Sequence, residues 1–266
     1  MKITALTENT TVHPEMLTEH GLSLYVEAGE RRILFDTGAT DVFLKNARKL
    51  GIDIGGVDTV VISHGHSDHG GGIKAFLESN STASVYINHR AFARHFNARG
   101  KDISLDAELA THPRVILVDD ELEIAPGITL STKNCARRRN FISSFGLLEQ
   151  TEDGELAHDQ FLHEQYMLLE YDGLRILLSG CSHKGVADIV DWFRPDVLVG
   201  GFHVSKLPCD EPLAALARRL SEFDCTYYTC HCTGTQQYEF MKGNLPRLHY
   251  LSCGQSIEIN NKSFIK

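Results

Sequence analysis

The stretch VVISHGHSDHGGG, residues 60–72, places three histidines and one aspartate within six positions, between an apolar run and three glycines. Imidazole nitrogen and carboxylate oxygen are donors that suit Zn²⁺, and also Fe or Mn. A His-x-His pair on an irregular turn can aim two imidazoles at one cation. Asp68 and His69 then project toward a neighbouring position. One tight loop cannot surround a cation, so further donors must arrive from elsewhere in the chain. Three later segments offer them: SGCSH with His183, GGFH with His203 and TCHCTG with His231. A solvated histidine-rich loop would account for any one of these residues alone. Four separate segments, each ending an apolar run in histidine, argue instead for one shared site.

The elements that must position these residues are legible in the apolar patterning. Ile3 to Leu6, LSLYVEA and RRILFDTG read as early strands, with alternation at Leu22, Leu24 and Val26. ATDVFLKNARKLG carries Phe43, Leu44, Ala47 and Leu50 at helical spacing, with Gly51 as its stop. VDTVVIS is a buried strand that delivers His64, GGIKAFLES a helix and ASVYINH another strand. VILV, LEIA, ITLST and QYMLLEY are expected in a second sheet. RILLSG, DVLVGG and TYYTC follow as strands. KGVADIVDWF and DEPLAALARRLSEF lie between them as helices, the latter with Asp210 at its cap position and Pro212 in its first turn. TQQYEFMK is a short helix, and LHYLSCGQSIEIN is expected to close the chain as a β pair. Strands followed by strand–helix alternation in each half give an α/β fold: two face-to-face sheets with helices outside, in four layers. Functional groups in such sheets gather beyond the carboxyl ends of strands. A single domain over 1–266 is expected, with an irregular insertion or lid at about 90–165.

Composition narrows the partners. With 26 Lys and Arg against 35 Asp and Glu, the formal net charge of −9 argues against a general nucleic-acid binder. It still permits a small anionic substrate in a local basic pocket. The N-terminal residues lack a signal-peptide pattern, and no apolar run is long enough for a membrane span. Seven scattered cysteines fit free thiols in a reducing compartment better than a disulfide framework. The expectation is a soluble cytoplasmic protein acting on a small molecule, with no membrane or nucleic-acid partner. Self-association into a homo-oligomer is left open.

HGHSDH resembles the H-x-H-x-D-H signature of the metallo-β-lactamase superfamily, and FDTG ahead of it extends the match. SGCSHKGV, GGFH and HCTG are similar to one branch, the dihydropterin ribofuranosyl-aminobenzene phosphate synthases. The resemblance implies an αβ/βα sandwich with a metal site at one edge, His64, His66, Asp68 and His69 as the first ligand cluster, and His231 as the last ligand. Many members place a metal-bridging aspartate where this chain has Cys181. His183 is then the substitute ligand, with the Cys181 thiolate as a further candidate. His163, just before YMLLEY, stands near the middle ligand of the superfamily and is another candidate.

Around that set, Asp36 is expected to orient a ligand histidine, since metal-bound imidazoles usually donate their other N–H to an acceptor. Its plainer reading is a turn aspartate before Thr37-Gly38. His203 is a candidate proton donor to a leaving group, or else a structural histidine. Asp68 would orient water while ligating. Arg137, Arg138 and Arg139 form either an anion clamp or a solvated cationic run. Thr233 and Gly234 could serve the same anion or simply enter the next helix. Cys230 and Cys232 are assigned to packing, and His13, His20, His89, His95, His112, His158 and His249 to surface or structural roles.

The function expected is a metal-dependent hydrolase or transferase using one or two divalent ions, zinc first, with manganese or iron as alternatives. Its substrate would be a small phosphate-bearing metabolite, a pterin-related one if the branch resemblance extends to substrate. A redox or metal-sensing iron protein without turnover is the alternative from another class. RNA processing is a third reading, weakened by the acidic balance.

Overall fold

Consecutive residues of the central strands are buried toward opposite sides, and this fixes the layering. The computed structural model describes residues 1–151 and 153–261. Within Arg31–Phe35, Ile33 and Phe35 join one apolar cluster while Leu34 joins another. Within Leu174–Leu178, Ile176 and Leu178 share the first of these clusters, while Leu177 packs on the opposite side. The shared cluster is the space between two seven-stranded sheets. The other two are the interfaces between each sheet and its helices. The outcome is the α/β, four-layer αβ/βα sandwich.

The first sheet runs, in spatial order, Ser256–Glu258, Lys2–Thr7, Ser23–Ala28, Arg31–Phe35, Thr59–Ile62, Ser84–Asn88 and Val115–Val118. The second runs Leu248–Tyr250, Thr226–Thr229, Val197–Gly200, Leu174–Leu178, Tyr166–Tyr171, Ile128–Ser131 and Glu121–Ala125. Phe43 of helix Val42–Lys49 and Phe76 of helix Ile73–Ser79 pack on the outer face of the first sheet. Helices Val186–Phe193 and Glu211–Ser221 cover the second through Ile189, Val190, Leu213 and Leu220. Asp210 holds the cap position of Glu211–Ser221, but its side chain makes no capping hydrogen bond.

From Arg31–Phe35 to Val115–Val118, and from Leu174–Leu178 to Leu248–Tyr250, neighbouring strands are parallel. Their carboxyl ends therefore lie on common edges, where the next residues of the chain enter loops together.

Two strand assignments from the sequence need correction. VILV pairs in parallel with Ser84–Asn88 and ends the first sheet, not the second. Strands Leu248–Tyr250 and Ser256–Glu258 do not pair with each other: one extends the second sheet, the other pairs with Lys2–Thr7 in the first. The patterning was right locally, but periodicity carries no information on which sheet a strand joins. Within the irregular 90–165 span, Val115–Val118, Glu121–Ala125 and Ile128–Ser131 belong to the main sheets. His95–Phe96, Leu148–Gln150 and Leu156–His158 form a separate three-stranded sheet.

Phe35 fills the space between the sheets with no exposure. Phe35→Ala is expected to lower unfolding free energy by about 3–5 kcal/mol. Leu156→Ala, on an exposed strand, should stay within about 0.5 kcal/mol, both read from denaturant unfolding.

Candidate metal centre

Five parallel-strand ends supply the site. Phe35 leads into Asp36, Ile62 into Ser63 and His64, Leu178 into Cys181 and His183, Gly200 into His203, and Thr229 into His231. Asp36, Ser182, His203 and His231 all adopt positive φ, between 49° and 61°, an uncommon conformation for residues with a Cβ. Local backbone strain thus collects where the chain turns toward the site. Gly180 is held by space: a Cβ there would lie 2.1 Å from Ser63 Oγ.

Hydrogen bonds fix which nitrogen of each key imidazole carries a proton. Asp36 accepts from the Ser63 N–H at 2.7 Å, the Ser63 hydroxyl at 2.7 Å and His69 Nδ1 at 2.6 Å. With its own proton given to Asp36, Ser63 Oγ accepts from His64 Nδ1 at 2.8 Å. His231 Nδ1 donates to Asn9 Oδ1 at 2.8 Å, and Gly21 N–H confirms that atom as the amide oxygen. Glu8, fully buried, accepts the His231 backbone N–H at 2.6 Å. In their neutral forms, His64, His69 and His231 therefore present bare Nε2 lone pairs.

Those lone pairs converge. His69 Nε2 lies 3.2 Å from His231 Nε2 and 3.2 Å from Cys181 Sγ. Asp68 Oδ2 stands 3.4 Å from His231 Nε2 and 3.8 Å from His69 Nε2. His64 Nε2 faces His183 Nε2 at 3.3 Å. His69 Nε2 and His231 Nε2, whose rings already donate from Nδ1, cannot hydrogen-bond each other while both are neutral, so a proton or a cation between them relieves that contact. Four donors around a cation at 2.0–2.1 Å stand about 3.3 Å apart, which is the spacing found. The donor set fits a divalent cation, and two adjacent groups could each hold one: His64, His66 and His183, and a second around His69 of Asp68, His231 and Cys181.

The electrostatics agree. Burial works against a charged His69, but Asp36 and Asp68 outweigh it and raise the group to about 9. Without a cation, a proton takes the place between the imidazoles. Burial likewise opposes a charged Asp68, yet His69, His20 and His231 hold its carboxyl well below the usual range. Burial pushes the Cys181 thiol up. His203 joins the same space, its ring 4.1 Å from that of His183, with its buried Nε2 unpartnered among the described residues.

The site opens into a pocket of about 440 Å³. His66, Asp68, Cys181, His183, His203 and His231 form its floor, and Lys101, Phe145, Leu147 and Lys206 contribute to its walls.

His163 stays out of the donor set. Its Nδ1 accepts the Gly65 N–H at 2.9 Å, so its proton sits on Nε2, which points at Asp159. The Arg137–Arg139 run does not line the pocket; Arg138 donates to Gln160 O, and the Arg139 N–H to Asp188. The Thr233 hydroxyl accepts the Phe202 N–H and is buried. All seven cysteines are free; Cys230 packs in the intersheet core, whereas Cys232 reaches the pocket. Sequence reasoning missed Glu8, Asn9, Ser63, His20, Lys101 and Lys206. None has a motif, and Asn9 meets His231 across 222 positions.

A sequence profile of the metallo-β-lactamase superfamily matches residues 18–135, which contain HGHSDH. The crystal structure of Tm1679, a metal-dependent hydrolase of the beta-lactamase superfamily, superposes with a TM-score of 0.84 at 28% identity, covering 98% of this chain and 99% of that one. Residues 18–135 are similar to the metallo-β-lactamase superfamily, and the fold of the whole chain is like that of Tm1679. Two curated relatives come from Methanocaldococcus jannaschii. One is the 7,8-dihydropterin-6-methyl-4-(beta-D-ribofuranosyl)-aminobenzene-5'-phosphate synthase, 26% identical, covering 87% of this chain and 88% of the relative. The other is an uncharacterized protein, 25% identical, covering 85% and 88%. Among the described residues, no helix is long and apolar enough to cross a membrane.

His69 has to lose its proton before its Nε2 can ligate. Zinc binding to chelator-stripped protein at pH 7 should therefore release a proton from this group. The affinity should fall about tenfold per pH unit below about 9 and level off above it. Calorimetry in buffers of different ionisation enthalpy reads that release directly.

Proposed function

We propose that this protein is a metal-dependent hydrolase or transferase acting on a small phosphate-bearing metabolite, with a pterin-like ring as the favoured substrate class. The observation that carries the reading is the meeting of His69 Nε2 and His231 Nε2, each ring held by a hydrogen bond at Nδ1 with Nε2 turned into the site, beside the Asp68 carboxylate. Residues His64, His66 and His183 would hold one cation, and Asp68, His69 and His231 a second, with Cys181 beside them. Zinc suits the nitrogen-rich set best, with manganese or iron able to use it. A divalent cation bound there supplies Lewis acidity, bringing the pKa of water down toward about 7 and polarising the bond under attack.

The chain's own residues do the rest. Asp68 accepts a hydrogen bond from incoming water while remaining ionised. His203, over His183 and next to Phe145, is placed to give a proton to the leaving oxygen. Lys101 and Lys206 give the mouth of an otherwise acidic protein two cationic groups, and these hold the substrate's phosphate. Phe145 and Leu147 cover a flat apolar portion. Support for the pterin class comes from the synthase relative, whose named product joins a dihydropterin to a ribofuranosyl phosphate. Support for metal-dependent hydrolysis comes from Tm1679. The pocket volume suits a metabolite rather than a nucleic-acid strand.

His69→Ala should abolish both zinc retention and turnover of phosphodiester and phosphomonoester probes; full activity in that variant would overturn the reading. Replacing Lys101 and Lys206 by alanine should raise KM for a phosphate-bearing substrate at least roughly tenfold, with kcat little changed. The same variant should leave KM for an uncharged analogue unaltered. Steady-state kinetics on the matched pair checks this.

A further inference from the structure

Two cysteines reach the pocket from strands that are not neighbours. Cys181 follows Leu174–Leu178 and Cys232 follows Thr226–Thr229, with Val197–Gly200 lying between those strands. Strands two apart in a sheet run about 9.5 Å from each other. The two sulfurs nevertheless come within 4.8 Å of one another, so the loops converge over the end of the middle strand.

Glycine makes that approach possible. A Cβ on Gly201, just past the middle strand, would stand 2.3 Å from Cys232 Sγ. The Gly201 N–H donates to Gly180 O at 2.8 Å, which ties the residue before Cys181 to the same point. Cys232 Sγ in turn donates to Cys181 O at 3.6 Å. The backbone itself therefore brings the pair together.

Access singles out the same two residues. Cys181 and Cys232 are 3% and 7% exposed, yet both line the pocket of about 440 Å³. A small oxidant entering that pocket meets both. Cys225, Cys230 and Cys253 are buried and do not line it, nor do Cys135 and Cys209. The His203 N–H donates to Cys232 Sγ at 3.3 Å, which favours Cys232 as the attacking sulfur. Cys181 Sγ, on the other side, stands 3.2 Å from His69 Nε2, where the second cation group forms.

We propose that Cys181 and Cys232 form a reversible disulfide that withdraws Cys181 from the second cation group. The oxidant is hydrogen peroxide. The Cys232 sulfur attacks one peroxide oxygen, giving a sulfenic acid and releasing water. The Cys181 sulfur then attacks the sulfenic sulfur and releases a second water, each thiol having given its proton to a departing oxygen. A cation on Cys181 and a disulfide through it exclude each other. That coupling rests on the reading that Cys181 stands in the cation group; the disulfide itself does not.

Hydrogen peroxide added to the full chain, stripped of metal by a chelator, tests it. After alkylation of free thiols, tandem mass spectrometry should find Cys181 joined to Cys232, and dithiothreitol should restore both thiols. The proposal is overturned if both stay alkylatable, if Cys232 joins Cys230, or if either sulfur becomes a sulfinic acid without a cross-link. The oxidised protein should bind zinc in the second group at least roughly tenfold more weakly, the least that losing even an outer partner costs. Saturating zinc added before the peroxide should prevent the cross-link. A cross-link with unchanged zinc affinity overturns the withdrawal of Cys181 and leaves the metal reading intact. A cross-link in a protein that binds no zinc, manganese or iron sinks the metal reading and keeps the disulfide.

Discussion

Asp36 organises the centre by accepting three hydrogen bonds from two residues of one loop. By taking the Ser63 N–H and hydroxyl it ties the strand end to itself, and by taking His69 Nδ1–H it decides which face of that ring is bare. Ser63, its own proton spent, passes the same decision on to His64. One buried carboxylate therefore sets two imidazoles at once. The chain accepts a positive φ of 61° at Asp36 to put it there.

The sandwich exists in a form that makes this possible. Each sheet is buried on both faces, so its central strands can be apolar throughout and need no polar side. Polar chemistry is displaced to the strand ends, where loops from both sheets meet over the intersheet core. His69 arrives from the first sheet and His231 from the second, and their contact spans the gap between the two.

Much of this was readable from the chain alone. The β-branched run before His64, the glycines after His69 and the alternation in the early strands give the layers, because burial of apolar area is a local, periodic signal. His64, His183 and His231 stand out in the sequence because each closely follows an apolar run, and His66, Asp68 and His69 because they crowd the same short turn. What sequence could not disclose is long-range pairing. VILV carries no mark of which sheet it joins. His95 and His20, set aside as surface or structural, sit respectively behind the centre and at its mouth, in contact with Asp159 and Asp68. Asp159 lies in a polar stretch whose composition reads as ordinary loop. His163 stands close enough to the centre to pass for a ligand, and only the direction of the Gly65 N–H shows which way its lone pair faces.

The distance along the chain between Glu8 and His231 has a bearing on how the molecule is made. Glu8 and Asn9 hold a histidine that comes 223 and 222 positions later. A growing chain that has already released the HGHSDH loop from the ribosome still lacks the imidazole opposite it. The two sides of the centre therefore meet only once Thr226–Thr229 of the second sheet and the turn that follows it have been made.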